Sequence, residues 1–155
     1  PGPLTIIFEK KNNISKIVSG VLSTVAVRMP SHRLAQELIK NSGVPIAAPS
    51  ANISSRPSST SGVDAHNDLI GRVDIIIDDG VSDIGLESTV VRVEADSVFI
   101  LRPGAVTKEM LEQINHPVLF TDDKNKLQSS PGTKYKHYAP RGRLILEVRF
   151  CGMAQ

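Results

Sequence analysis

Pro45-Ile46-Ala47-Ala48-Pro49-Ser50-Ala51-Asn52 ends an apolar run on a turn of small hydrogen-bonding side chains, and Arg56-Pro57-Ser58-Ser59-Thr60 continues it. Side chains this short let a ligand approach the backbone closely. Just past a buried strand, such a loop lies in the crevice where ligands of open α/β sheets settle. Other polar groups stand at strand ends. Arg28 closes the run Thr24–Met29 and reads equally as a cation aimed into a crevice or as a surface arginine. Arg102 follows Val98–Leu101, beside Pro103 and Gly104, which stiffen and sharpen the turn. Ser88 and Thr89 lie between Glu87 and Val90-Val91 and, taken alone, read as an ordinary strand start. Two arginines and hydroxyls from separate loops make a receptor for an anion. The planar guanidinium fork holds carboxylate or phosphate oxygens, and hydroxyls fill the remaining acceptor positions.

Other chemistries lack their signatures. The chain has neither Gly-x-x-x-x-Gly-Lys-Ser nor Gly-x-Gly-x-x-Gly, and no Cys/His cluster has metal-ligand spacing, so no metal site is expected. His32, His66 and His116 are scattered and read as loop or surface residues; no nucleophile triad follows from spacing. Ser129 to Pro140 places Tyr135, His137 and Tyr138 among lysines. A solvated linker rarely spends such residues. The segment reads as a lid laid over a ligand, the alternative being a docked linker that only packs.

These groups need a frame. Leu4–Phe8, Thr24–Met29, Val44–Ala48, Val73–Ile77, Ser88–Val93 and Val98–Leu101 read as strands, the last two joined by a turn at Ala95-Asp96. Pro30 ends the second strand, and Ser31 is the expected cap of a helix presenting Leu34, Ala35, Leu38 and Ile39 up to Gly43. Thr60 or Ser61 caps a helix through Ile70, and Thr107 caps one bearing Met110, Leu111 and Ile114. Strands interleaved with helices predict an α/β domain with a mixed sheet. The expected organisation is a domain over residues 1–119, a linker over 120–142, and a second module begun over 143–155.

The 155 residues suit one ordinary domain, and a formal charge of +2 gives little electrostatic argument for nucleic acid. A lone Cys151 cannot form an internal disulfide, and no apolar run has membrane-spanning length; a cytoplasmic soluble protein is expected. Pro1-Gly2-Pro3 leading straight into an apolar run, and a lone strand-like Leu144–Phe150, read as the ends of a fragment.

The blocks Pro1-Gly2-Pro3-Leu4-Thr5, Val27-Arg28-Met29-Pro30, Ala48-Pro49-Ser50-Ala51-Asn52, Glu87-Ser88-Thr89-Val90-Val91, Leu101-Arg102-Pro103-Gly104 and Ser130 to Pro140 occur together and in order. In this the chain resembles the YrdC-like threonylcarbamoyl-AMP synthases, in the long form with an additional C-terminal domain. The resemblance implies a strongly twisted mixed sheet with surrounding helices and a concave, positively charged cavity. It implies a nucleotidyltransferase that makes threonylcarbamoyl-adenylate and pyrophosphate from L-threonine, bicarbonate and ATP, with Mg2+ accompanying the triphosphate. The product would serve N6-threonylcarbamoyladenosine formation in tRNA, through a downstream transferase complex. Carried over by position, Arg28, Ala48 and Ser88 would bind threonine, and Thr24, Ser50, Ser58 and Arg102 would line the ATP site. Ser50 and Asn52 would be the catalytic Ser-x-Asn half of a polar tetrad, and His137 and Tyr138 part of the lid over ATP. The Lys-x-Arg half of that tetrad does not occur, so the chain by itself is expected to be inactive or nearly so. Ser55 and Ser59 stand where relatives usually have glycine and proline, which bears on the shape of the loop around Ser58. A double-stranded RNA-binding module, or a carbamoyl-transfer domain of the hydrogenase-maturation type, would fit the same fold.

Overall fold

The computed structural model describes residues 1–121 apart from positions 21 and 55. Its elements are β1 (Leu4–Glu9), α1 (Lys16–Ser19), β2 (Thr24–Arg28), α2 (Arg33–Ser42), α3 (Gly62–Leu69), β3 (Thr89–Val93), β4 (Val98–Arg102), α4 (Lys108–Glu112) and β5 (Val118–Phe120). The five strands form one mixed sheet in the order β2-β1-β3-β4-β5. β1 pairs antiparallel with β2 and parallel with β3; β3 and β4 form an antiparallel hairpin, and β5 joins β4 in parallel. The expected α/β fold with a mixed sheet is the observed one.

Alternation along the central strands sorts the core to two faces. Val91, Val98 and Ile100 cluster with Leu111 of α4 and Val118 of β5, with Leu4, Ile6 and Val106 packed against them. Ile7, Val90 and Leu101 form the second cluster, with Phe99 beside them. Two helices start on the caps read from the sequence: Ser61 Oγ accepts the Asp64 N–H at 3.2 Å, and Thr107 Oγ1 accepts that of Met110 at 3.3 Å. A 2.9 Å bond from the Glu94 N–H to the Ser97 carbonyl closes the expected hairpin turn.

Three expectations are corrected. Val44–Ala48 and Val73–Ile77 are not strands. Their residues are exposed, Ile75 at 78% and Ile77 at 67%. Apolar β-formers make a strand only where a neighbouring ladder takes their N–H and C=O groups, and the observed sheet ends at β2 on one side and β5 on the other. Ser31 is not the cap of α2. His32 holds that position without a side-chain capping bond, and the Gln36 side chain reaches back to the Pro30 carbonyl at 2.9 Å. β5 and α1 were not expected; β5 carries the sheet to Phe120, across the expected boundary at residue 119. The expected linker beyond residue 121 and the second module lie outside the described residues.

Candidate functional site at one end of the sheet

The strand register builds the site. Arg28 is the Cα partner of Thr5, Thr5 of Val90, and Val90 of Arg102, so a row crosses β2, β1, β3 and β4 at one end of the sheet. Two arginines 74 positions apart in sequence thus share one sheet end. At Val90/Val91 the β3–β4 register slips: Val90 faces Arg102 while Val91 faces Ile100. A bulge of this kind bends a strand and re-aims a side chain. Arg102 turns over the start of β3, where its Nε and Nη2 donate to the Ser88 carbonyl at 3.2 and 2.9 Å and Nη2 donates to Ser88 Oγ at 3.1 Å.

Ser88 is buried, and its hydroxyl also meets Thr5 Oγ1 at 2.8 Å. Glu87 adds an acceptor on each side. Its Oε2 lies 2.8 Å from Arg102 Nη1, and its Oε1 accepts Ser58 Oγ–H at 3.1 Å. The serine-rich loop is therefore tied to the sheet end through a carboxylate that the sequence reading left without a role. Glu87 partly offsets the charge that Arg102 can offer an anion.

The turn after Arg102 is stitched to the same segment. Ala105 N–H donates to the Glu87 carbonyl at 3.2 Å. Thr89 Oγ1 donates to the Val106 carbonyl at 2.6 Å and accepts the Val106 N–H at 2.9 Å. Gly104 permits this approach, since a Cβ there would lie 2.6 Å from the Thr89 nitrogen and 2.7 Å from the Ser88 carbonyl carbon. On the far side, Arg28 is exposed and donates through Nε to the Gly2 carbonyl at 3.0 Å.

Other predicted site residues are placed as follows. Thr24 is buried but pairs with Glu9, at the opposite end of β2 from Arg28; four residues of strand put it about 13 Å away. Ala48 and Ser50 are exposed. Ser59 Oγ donates to the Ala51 carbonyl at 2.8 Å and closes the loop on itself. Asn52 is half-buried; its Nδ2 donates to the carbonyls of Ile53 and Arg56 at 2.9 and 3.0 Å. An open hollow of about 660 Å³ is lined here by residues that include Arg56, Ser58, Thr60, Asp64, Asn67 and Asp68. The Asp68 carboxyl sits below the usual carboxylate range, because the Ile53 N–H donates to it, with Arg56 and Arg72 adding positive charge. His137, Tyr138 and Ser55 lie outside the described residues. Among the described residues no group of three His, Cys, Asp or Glu side chains could hold a metal ion, and no helix is long and apolar enough to cross a membrane.

Thr5, Glu87, Gly104 and Asp68 were missed as members of the site. Only Glu87 and Gly104 left a signal, as neighbours of Ser88 and Arg102; Thr5 and Asp68 act through contacts distant in sequence.

The mixed sheet with helices, and the arginines and hydroxyls gathered at one of its ends, define an α/β domain with a polar cluster at the sheet end. Comparison with known proteins carries this further: the Sua5/YciO/YrdC family model, described as telomere recombination, matches residues 1–104, and the chain belongs to that family. Residues 106–150 match the threonylcarbamoyl-AMP synthase C-terminal domain. The threonylcarbamoyl-AMP synthase of Bacillus subtilis is 46% identical over 150 residues, covering 94% of this chain and 43% of the relative. That of Pyrococcus abyssi is 42% identical over 151 residues, covering 94% and 44%. A crystal structure of P. abyssi Sua5 complexed with L-threonine superimposes with a TM-score of 0.83 at 42% identity, over 90% of this chain and 42% of that one. The chain thus spans less than half the length of these relatives.

Proposed function

We propose that this chain forms part of the active site of a threonylcarbamoyl-AMP synthase. The observation that carries the reading is the row Arg28–Thr5–Val90–Arg102 with Ser88 beside it, in a chain 42–46% identical to proteins of that name. L-threonine bound to the P. abyssi relative supports the amino-acid half.

In the proposed reaction the threonine amine attacks bicarbonate carbon, an N–C bond forms and water leaves, giving a carbamate. A carbamate oxygen then attacks the α-phosphorus of ATP. The bond to the β-phosphate oxygen breaks, and pyrophosphate departs. The exposed Arg28 would fork the threonine carboxylate, with Ser88 and the Ala48 backbone completing that pocket. Ser50, Ser58 and Arg102 would line the ATP site nearby, and Thr24 its far end. Ser50 and Asn52 would be the polar pair nearest the chemistry, and His137 and Tyr138 part of a lid. Work of this kind is positioning and charge stabilisation.

ATP would enter as its magnesium complex, the metal held by phosphate oxygens. Lys-x-Arg does not occur among the 155 residues, which leaves the triphosphate without that pair of cations. The 155-residue chain alone is therefore expected to release little pyrophosphate. The product would feed tRNA modification in the cytoplasm through a downstream threonylcarbamoyl-transferase complex, with tRNA itself a further contact.

The test incubates the full-length protein with ATP, bicarbonate and single amino acids and follows pyrophosphate. Threonine-dependent release is expected. RNA retention without pyrophosphate would replace the reading with an RNA-binding module, and turnover of carbamoyl phosphate would replace it with carbamoyl transfer.

A further inference from the structure

The last turn of α3 carries a carboxylate that none of the roles above uses. Asp68 has only 12% of its side chain exposed. Its Oδ2 accepts the Ile53 N–H at 3.1 Å, and its Oδ1 accepts from Arg56 Nη1. From the other side, Asn52 Nδ2 donates to the carbonyls of the same two residues, while the Arg56 N–H closes on the Ile53 carbonyl at 3.1 Å. The turn that follows Ser50-Ala51-Asn52 is thus gripped at both ends by two side chains.

The grip has a consequence for Asn52. Reversing its amide would press Oδ1 against two carbonyl oxygens, so the NH₂ group is fixed towards them and Oδ1 faces away. That Oδ1 is buried and has no hydrogen-bond partner among the described residues. A buried acceptor left without a donor is destabilising, so the orientation of this amide is held by the bonds its NH₂ group makes.

We propose that Asp68 is a positioning residue: by holding Ile53 and Arg56 it fixes the turn after Ser50-Ala51-Asn52, and the Asn52 amide within it, in the geometry the reaction needs. The inference rests on the synthase reading for its substrate, but the clamp itself can be read without ligand.

The test compares Asp68→Ala and Asp68→Asn in the full-length protein. The first readout is hydrogen exchange of the Asn52 side-chain amide by NMR. The second is pyrophosphate release together with the threonine Kd by calorimetry. In D68A the Asn52 protons should exchange about tenfold faster, the effect of losing roughly one hydrogen bond. Turnover should fall about tenfold or more from the lost geometry, with the threonine Kd within about twofold. D68N keeps an oxygen for the Ile53 N–H and should recover part of both losses. Unchanged Asn52 exchange in D68A would overturn the proposal, as would freed Asn52 protons with unchanged turnover. Equal losses of threonine affinity and turnover, with D68N no better than D68A, would mark general damage and overturn it too. Absence of pyrophosphate release by the unmodified protein refutes the synthase reading instead, and Asn52 exchange alone then decides for or against the clamp.

Discussion

Gly104→Ala puts the packing of the site to its most demanding test. The added methyl group would stand 2.6 Å from the Thr89 nitrogen, roughly 0.8 Å short of the 3.4 Å at which ordinary contact begins. Its nearest neighbours are backbone atoms of Glu87, Ser88 and Thr89, so no side chain can swing aside to relieve it. The turn after Arg102 has to lift away from the start of β3. Doing so strains the bonds from Ala105 to the Glu87 carbonyl and between Thr89 and Val106. Overpacking of this kind costs about 1–3 kcal/mol, and because the obstructing atoms are backbone a loss near the upper end, about 3 kcal/mol, is expected. That is a large part of a typical stability of about 5–15 kcal/mol. For a domain of this size it lowers Tm by about 6–12 °C. Ser88 and Arg102 move with the turn, so threonine affinity should fall as well. Differential scanning calorimetry and threonine titration read the two effects. A variant that melts within about 2 °C of the parent, a shift worth no more than about 1 kcal/mol in a domain of this size, and binds threonine equally well, would refute the close approach as the reason for glycine at 104.

The remaining predictions concern charge, capping and pH. Arg28→Ala should weaken threonine binding by about 10- to 100-fold, the worth of a charge-assisted pair, and leave ATP affinity nearly unchanged; calorimetry with each ligand separates the two. Arg102→Ala should weaken ATP more than threonine in the same titrations, and the reverse order would exchange the two assignments. Ser61→Ala removes the hydroxyl that accepts the Asp64 N–H and should cost about 1 kcal/mol in denaturant unfolding, with no change in threonine affinity. The Asp68 carboxyl is lowered from its ordinary value of 3.8, chiefly by the Ile53 N–H. A depressed folded-state value means that its stabilisation is present above the unfolded-state value and is lost as pH falls below it. Asp68→Asn should therefore flatten the acid limb of unfolding below about pH 4; an unchanged acid limb would contradict the hold of the Ile53 N–H and Arg56 on this carboxylate.

Much of the frame was legible because it rests on local signals. β1 and β2 show as apolar runs, the β3–β4 hairpin shows as two runs about a short polar turn, and Ser61 and Thr107 are hydroxyls placed just ahead of helix-forming stretches. Val44–Ala48 and Val73–Ile77 carry the same local signal yet find no ladder, since apolarity says nothing about which edge is free. β5 is only three residues long and follows Pro117, too short a run to register. Arg28, Ser88 and Arg102 come from separate motifs in the sequence, and the register brings them to one end of the sheet, because each ends a strand or precedes one there. Glu87 and Asp68 escaped because a carboxylate's partner is set by folding. Glu87 finds Ser58 and Arg102, and Asp68 finds Ile53 and Arg56, across separations of 12 to 29 residues that no spacing rule spans.

A crystal structure of the full-length protein soaked with L-threonine would examine the binding assignment without any kinetic inference. The ligand carboxylate should lie on the Arg28 guanidinium, with the amino acid beside Ser88 at the end of the sheet where β1 and β3 begin. Threonine seated instead in the hollow by Arg56 and Asp64, with Arg28 untouched, would contradict the account.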